Sequence, residues 1–403
     1  MDKALKRRKR PAITTQSFSK PPAVPFSLFL RVLRTVAFLY PETIAPRHRL
    51  VLQLSDLCLS LGRLTNYTVF KPITIKDIAQ ALGLSPSTVS RALSDSYEIN
   101  EETKKRVLEY AERHNYRRNP MASSLRAGRS YSIGVVVCEV ANAFFSQAID
   151  GIESVAYGKG YHVIISQSHD SYEREVVNVQ HLANRAVDGL LISMSSETKD
   201  FSHITHLHEQ GLPIVFFDRI IDAFETHTVT SNNREGACKA TQSLINRGFR
   251  RIAHLANAPH LSITAERLEG YEQALRKNGL PFEESLIRFC HHGGRVQQEV
   301  EDAVRYFLSM DQRPEAIFVA SDRLSMGCLT ALKKLATNDR HPAVAGFSNS
   351  EVLDLLQPGF TCVRQPAFEM GRKAMDMLIQ LIESRYPVYE FENAILQTEL
   401  IER

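Results

Sequence analysis

The first regular pattern in the chain predicts a short amphipathic helix over 75–82. Its apolar residues recur at i, i+3, i+4 and i+7, and they are Ile75, Ile78, Ala79 and Leu82. Thr74 and Asp77 stand in the order of a capping box just before this apolar run. We therefore expect the helix to begin directly after Thr74.

A second short helix is predicted to follow after a tight turn. Gly83 permits the turn, Ser85 is a natural N-cap, and Pro86 suits the first helical position because its missing N–H has no partner there. Val89 and Leu93, four residues apart, point to the same side as the apolar face of the first helix. Two capped helices joined in this way predict a helix-turn-helix.

The outer face of the second helix carries polar side chains. Ser87, Thr88 and Arg91 lie near its N-terminus, the end that a helix-turn-helix inserts into the major groove of DNA. We interpret them as base readers. The alternative is a helical hairpin belonging to some other α-domain.

A third helix is predicted from Asn100, which caps a segment with acidic residues in its first turn. Val107, Leu108 and Ala111 are expected to face the first two helices, which makes a three-helix headpiece.

A polar and basic connector over 115–129 comes next. Only 120–127 is suited to a helix there, and this stretch is too short to be stable alone in water. Leu125 is an apolar side chain in this basic segment. It either packs on the next domain or forms a wedge between base pairs in a minor groove.

From Ser132 onwards apolar runs alternate with helical stretches. Such continuous apolar runs between helices predict parallel sheets covered on both faces. The length of this α/β region predicts two lobes. The predicted strands are 133–137, 161–165, 189–192, 213–217, 251–255, 316–319 and 344–347.

Ligands of such sheets collect at the carboxyl ends of the strands. The polar residues expected there are Asp218 and Arg219, Ser321 and Asp322, and Ser348 and Asn349.

Charge is distributed unevenly along the 403 residues. The whole chain carries +4, but residues 1–70 carry +9, 71–130 carry +4 and 131–403 carry −9. A basic front and an acidic rear fit a nucleic-acid-binding segment joined to a domain that does not bind phosphates. A basic tail without function is the alternative for the first segment.

The six cysteines are scattered without a CxxC pair, so we expect no zinc site and no disulfide framework, and a reducing cytoplasm. His203, His206 and His208 are interpreted as a solvated polar face rather than a metal site. No metal and no cofactor are expected.

Residues 1–70 match no recognisable element. The apolar stretch 25–40 is interrupted by Arg31 and Arg34 and is too short to span a bilayer, and no small-residue cleavage site follows it. The segment is either an over-long gene model, with Val69 as one candidate start, or a genuine extension.

The predicted headpiece resembles that of the LacI/GalR family of bacterial transcriptional regulators, and the resemblance extends from about Ile73 to Arg403. The family's pattern T-I-x-D-V-A-x-x-A-G-V-S-x-x-T-V-S-R-x-L aligns with the chain without a gap. The residues that fall on it are Thr74, Ile75, Asp77, Ala79, Gly83, Ser85, Thr88, Val89, Ser90, Arg91 and Leu93. The resemblance implies DNA contacts at Thr74, Ser85, Pro86, Ser87, Thr88, Ser90 and Arg91. Of these, Arg91 is suited to guanine.

The connector is similar to the family's hinge, Y-x-P-N-x-x-A-R-x-L. This similarity implies further DNA contacts at Asn119, Ala122 and Leu125. Arg118 replaces the usual proline and Ser123 the usual arginine, so the contacts usually made at those two positions do not carry over.

The rear domain resembles the type I periplasmic-binding-protein fold that this family uses to sense effectors. The matching segments are 142–145, 217–219, 267–271, 321–322 and 365–371. The resemblance implies effector contacts at Asn142, Phe144, Phe145, Asp170, Arg219, Arg267, Asp322 and Ser348. Ser348 stands where most members carry aspartate.

The predicted fold class is therefore α/β, with an all-α helix-turn-helix headpiece before a two-lobed domain with parallel sheets. The expected domains are a basic extension (1–70), the headpiece (71–117), a hinge (118–131) and the effector and dimerisation domain (132–403). Its lobes are expected at about 132–230 plus 361–384 and 231–360 plus 385–403.

The expected function is that of a cytoplasmic, homodimeric repressor that binds a palindromic double-stranded operator. Its effector is expected to be a small polar molecule, a sugar or sugar derivative, and no membrane partner is expected. The alternatives are a transcriptional activator and a transport receptor with the same rear fold. An enzyme is not expected, because no nucleophile elbow, Walker loop or metal cluster is present in the sequence.

Overall fold

The computed structural model describes residues 73–117, 129–335, 341–357 and 359–402. By its internal contacts the chain divides after Arg117 into two compact units. The extension 1–70 and the hinge residues Asn119, Ala122 and Leu125 lie outside the described residues.

The first unit contains three helices: α1 (Ile75–Leu82), α2 (Pro86–Leu93) and α3 (Glu101–Arg113). The capping box of α1 is present, because the backbone N–H of Thr74 donates to Asp77 at 2.8 Å and that of Asp77 donates to the Thr74 hydroxyl at 3.3 Å. Gly83 ends α1 with φ 66°, a left-handed conformation that suits glycine. The turn chemistry predicted from the sequence is confirmed.

The core of this unit is formed by one apolar stripe from each helix. These buried residues are Ile78, Ala79, Val89, Ala92, Val107 and Ala111. The prediction for Leu108 is wrong, since this side chain is 51% exposed. Residues 104, 107 and 111 form the inward stripe of α3 at i, i+3 and i+7, and Leu108 lies about 100° further round the helix.

The second unit contains two six-stranded sheets. Its strands are β1 (Ser132–Val137), β2 (His162–Gln167), β3 (Gly189–Ile192), β4 (Ile214–Phe217), β5 (Thr228–Ser231), β6 (Ile252–Ala256), β7 (Ile287–Phe289), β8 (Ala316–Val319), β9 (Ala343–Phe347), β10 (Thr361–Arg364), β11 (Asn393–Leu396) and β12 (Glu399–Ile401). The strand order is β11-β5-β4-β3-β1-β2 in the first lobe and β12-β10-β9-β8-β6-β7 in the second. All pairs are parallel except β10 with β12.

Helices cover both faces of each sheet. Their bounds are α4 (Ala143–Gly158), α5 (Tyr172–Asn184), α6 (Ser202–Glu209), α7 (Asn233–Asn246), α8 (Ser262–Lys277), α9 (Gln297–Ser309), α10 (Asp322–Leu335), α11 (Glu351–Leu356) and α12 (Ala367–Glu383). In the first lobe α4 and α12 pack on one face and α5 and α6 on the other. In the second lobe α9 and α10 oppose α7 and α8.

The division between the lobes differs from the prediction at the C-terminus. β10 lies in the second lobe, where Thr361 pairs with Ala345 of β9, and β11 lies in the first, where Asn393 pairs with Thr228 of β5. The assignment of 361–364 to the first lobe and of 393–396 to the second is therefore wrong. Both strands have only four residues, and inter-strand hydrogen bonds decide which sheet they join.

Candidate functional site

The described residues predicted to contact DNA lie on α2, at its N-cap or, for Thr74, at the N-cap of α1. Five of them are exposed, namely Thr74, Ser85, Pro86, Ser87 and Arg91, and Thr88 is partly buried. Ser90 differs, because it is only 7% exposed and faces the helical core.

The hydroxyl groups at the N-terminus of α2 form a cluster. Ser85 Oγ lies 2.7 Å from Ser87 Oγ and 2.8 Å from Thr88 Oγ1, and it accepts the backbone N–H of Thr88 at 3.1 Å. The cap therefore fixes the orientation of the side chains that flank the helix start.

Arg91 forms an ion pair that the sequence analysis did not predict. Its Nη1 lies 2.8 Å from Oε2 of Glu98, and both side chains are substantially exposed. Glu98 lies in the loop between α2 and α3, so an acidic group adjoins the arginine predicted to read a base.

The second unit has a cleft between the carboxyl ends of its two sheets, with a cavity of about 60 Å³. Seven of the eight predicted effector residues line this cavity. They are Asn142, Phe144, Phe145, Asp170, Arg219, Arg267 and Asp322. Ser348 lies behind them and donates its hydroxyl hydrogen to Asp322 Oδ1.

Asp170 and Arg219 form a buried ion pair on the first-lobe side. Asp170 follows β2, and it also accepts the backbone N–H of Ser196 at 2.9 Å. Burial alone would raise the pKa of Asp170, but the Arg219 guanidinium and the Ser196 N–H outweigh it and hold the pKa below its usual value. Asp170 is therefore an ionised acceptor whose charge is balanced.

Arg267 occupies the second-lobe side and is 2% exposed. Nε and Nη2 donate to Asn233 Oδ1 at 2.9 and 2.7 Å, and Nη1 donates to the Ala320 carbonyl. The guanidinium carbon lies 3.8 Å from the centroid of the Phe347 ring. Burial lowers the pKa of Arg267 to about 10. These contacts fix the guanidinium against the floor of the cavity.

Asp322 begins α10 and connects the two lobes. Its Oδ2 accepts the side-chain amide of Asn142 from the first lobe at 3.1 Å, and its Oδ1 accepts the hydroxyl of Ser348. Burial raises the pKa of Asp322, although these donors oppose the rise. The carboxylate thus already has partners from both lobes.

The apolar part of the cavity comes from Phe144 and Phe145 at the start of α4, each 5% exposed, and from Ile263. The Asn142 side chain caps α4 by accepting the backbone N–H of Phe144 at 2.9 Å. The cap thereby sets the position of both rings.

Sequence reasoning missed several residues of the cavity wall: Cys138, Glu139, Asn257, Ile263, Gly293 and Arg323. Asn257 directly follows β6, so the rule that ligands collect at strand ends could have found it. Cys138 directly follows β1 and Arg323 adjoins the predicted Asp322, so the same rule reaches both, whereas Gly293 carries no such signal.

Two buried donors beside the cavity have no hydrogen-bond partner within the described part of the chain. They are Arg219 Nε and Asn257 Nδ2. Buried polar groups are normally satisfied, so unpartnered donors in a cavity wall favour a ligand with acceptor atoms.

Further polar contacts cross between the lobes around the cleft. Glu139 of the first lobe pairs with Arg323 of the second. Asn349 Nδ2 of the second lobe donates to Gln147 Oε1 of the first at 2.7 Å, and Gln147 Nε2 donates to the Asn349 carbonyl at 3.3 Å. The structure is therefore that of a cleft closed by direct contacts.

Metal-ligating clusters of three or more His, Cys, Asp or Glu side chains are absent from the described residues. Among the same residues, every helix is too short or too polar to cross a membrane.

Two family profiles match the chain. The profile for bacterial regulatory proteins of the lacI family matches residues 74–119, and that for periplasmic binding proteins and the sugar binding domain of the LacI family matches residues 130–398.

The transcriptional regulator RegA of Clostridium saccharobutylicum is 31% identical over 334 residues, which are 82% of this chain and 98% of that protein. The chain is also similar to the crystal structure of a putative ribose operon repressor from Burkholderia thailandensis, with 30% sequence identity and a TM-score of 0.61. The match covers 68% of this chain and 100% of that one. A complex of the transcriptional regulator CelR with cellobiose is 27% identical with a TM-score of 0.59. It covers 82% of this chain and 98% of that one.

Proposed function

We propose, since the chain belongs to the LacI family of bacterial regulatory proteins, that this DNA-binding transcription regulator is a homodimeric repressor controlled by a small carbohydrate. The first unit binds a palindromic operator, and the cleft of the second binds the effector.

Recognition of DNA is assigned to the exposed face of α2. Arg91 is suited to a guanine, whose N7 and O6 accept from a guanidinium fork. Ser87 donates to or accepts from a neighbouring base, and Pro86 offers apolar contact only. In a homodimer two copies of α2 read two half-sites, which accounts for a palindromic operator.

The charge of the cavity wall favours an uncharged effector. The lining holds four carboxyl side chains and three guanidinium groups, so no positive excess is present to balance a phosphate. The wall also combines acceptors, unpartnered donors and two aromatic rings. That combination suits a sugar, which offers hydroxyl groups along its rim and C–H groups on its faces.

The single observation that carries this proposal is the convergence of Asp170, Arg219, Arg267 and Asp322 on one cavity between the lobes. An effector in this cavity shifts the DNA-binding equilibrium only by its differential affinity for the two conformations of the protein. Asp322 bonds Asn142 of the first lobe and Ser348 of the second, which supports a role for it in coupling ligand binding to the pairing of the lobes.

The effector site can be tested with a thermal-shift screen followed by calorimetry. The panel contains D-ribose, D-galactose, D-glucose, cellobiose, glucose 6-phosphate and guanine. An effector at a hundred times its dissociation constant stabilises the protein by about 2.7 kcal/mol. We expect one of the neutral sugars to give such a shift.

Asp322→Asn should then abolish or severely weaken binding of that sugar, because it removes the charged acceptor while keeping the side-chain volume. Effector-free DNA affinity should stay near that of the wild type. The control is Asp302→Asn, which changes an exposed residue of α9. If Asp322→Asn bound the sugar with wild-type affinity, the effector site would lie outside this cleft. If only guanine or only glucose 6-phosphate shifted the melting temperature, the assignment of a neutral sugar as effector would be overturned.

A further inference from the structure

Glu98 is held next to Arg91 by the fold of the loop that contains it. The backbone N–H of Ser96 donates to the carbonyl of Arg91 at 3.0 Å, which ties the start of the loop to α2. Ile99 packs against the helical core, which ties the end of the loop. Glu98 lies between these two anchors, so contacts other than the ion pair hold its backbone close to the arginine.

The Arg91–Glu98 pair contributes little to folding. The side chains are 58% and 45% exposed, and exposed ion pairs add little to stability because water and salt screen them. The ion pair instead changes the electrostatic interaction between α2 and a molecule that binds to it. The start of α2 presents the Ser85, Ser87 and Thr88 hydroxyls, and its last turn presents Arg91 with this charge pair.

We infer that Glu98 is a specificity-determining residue that prevents Arg91 from binding DNA phosphates indiscriminately. This inference rests on the proposed function, in which α2 reads the operator. A phosphate that approaches Arg91 meets a guanidinium whose charge is already balanced, and it is repelled by the carboxylate.

A base edge does not meet the same obstacle. Guanine is uncharged and offers N7 and O6 to the guanidinium, and the N4 amino group of its partner cytosine can donate to a carboxylate. Arg91 and Glu98 together are therefore compatible with the major-groove edge of a G·C pair, whereas they discriminate against the backbone.

The test uses the full chain with Glu98→Gln, Arg91→Ala, the double variant, and Glu109→Gln as a control. Glu109 is exposed on α3, so its replacement removes the same charge elsewhere on the first unit. The two probes are a duplex recovered from a random library by the wild-type protein and a scrambled duplex of equal length. Affinities are measured over a salt series.

Glu98→Gln should bind the scrambled duplex about two- to fivefold more tightly, which is the range expected when an exposed ion pair is removed. Arg91 would then make one additional phosphate contact, so the plot of log affinity against log salt should steepen by about 0.9. Glu109→Gln should not steepen it, and Glu98→Gln should cause no further steepening in the Arg91→Ala background.

Equal behaviour of Glu98→Gln and Glu109→Gln would overturn the inference, as would steepening that persists without Arg91. If the proposed function itself were wrong, the experiment would give a different result. In that case Arg91→Ala would discriminate between the two duplexes as well as the wild type does, or the library would yield no preferred duplex.

Discussion

Asp170 and Asp218 adjoin the same guanidinium, yet their carboxyl groups behave in opposite ways. Asp170 forms the ion pair with Arg219, and its pKa is held below the usual value. Asp218 is 6% exposed, and burial raises its pKa despite the nearby Arg219 and Arg267. One arginine therefore balances one of the two carboxylates, and the other remains costly to ionise.

We expect Asp218→Asn to raise the melting temperature at pH 7. The pKa of Asp218 is higher in the folded than in the unfolded state. The contribution of this carboxyl group to stability is therefore fully present when the pH is below its unfolded-state pKa, and it is lost as the pH rises through its folded-state pKa. An asparagine avoids the loss, and it tolerates the φ of 59° at this position.

The advantage of Asp218→Asn should shrink as the pH is lowered towards the ordinary carboxyl range, where Asp218 itself becomes neutral. Calorimetric melting at several pH values measures this trend. A melting temperature equal to that of the wild type at pH 7 would contradict the prediction. Asp302→Asn, at an exposed site, is the control.

At the scale of the elements, glycines determine how closely α4 and α12 approach. A Cβ built on Gly151 would lie 2.0 Å from the carbonyl oxygen of Phe368, and one built on Gly371 would lie 2.0 Å from that of Ala148. Each helix therefore presents a glycine to the backbone of the other. This contact places the N-terminus of α4, with its two phenylalanines, at the cleft.

Gly371→Ala should destabilise the protein by about 1–3 kcal/mol, because the added methyl meets backbone atoms that cannot rotate away. Denaturant unfolding gives the value. Gly158→Ala is the matched control, since a Cβ at this exposed helical position meets nothing within 4 Å. There we expect no loss, because alanine lowers the entropy of the unfolded chain. Equal effects of the two substitutions would refute the packing argument.

At the scale of the whole second unit, a few polar pairs connect two separately packed lobes. The first lobe supplies Glu139, Asn142 and Gln147, and the second supplies Arg323, Asp322 and Asn349. Since each lobe has its own hydrophobic clusters, these pairs can break without unfolding either lobe.

The double variant Arg323→Ala/Gln147→Ala should therefore favour an open cleft while both lobes remain folded. We expect a larger radius of gyration by small-angle X-ray scattering and an unchanged circular dichroism spectrum. The matched control is Arg305→Ala/Gln298→Ala, whose side chains both bond Asp302 within α9. A radius of gyration equal to that of the control would show that the two pairs do not hold the cleft closed.

Local sequence was sufficient to predict the helices of the first unit and the polar strand-end residues of the cleft, such as Arg219 and Asp322, whereas the other predicted cleft residues came from the resemblance to the family. Caps such as Ser85 act within a few residues, and the long apolar strands end at polar residues that converge because parallel strands share an edge. The strands that were missed, such as β5 and β11, are short and mix polar with apolar residues, so they carry no pattern of their own.

The sequence by itself determined the helix-turn-helix, the alternation of strands and helices, and the polar residues at the strand ends of the cleft, because these depend on contacts between near neighbours or on strand ends. Tertiary structure alone decided that β10 and β11 exchange lobes, that Asp322 bonds Asn142 across the cleft, and that Glu98 lies against Arg91. In each case the geometry is set by hydrogen bonds and packing between separate elements, and the position of a residue in the chain does not encode how those elements meet.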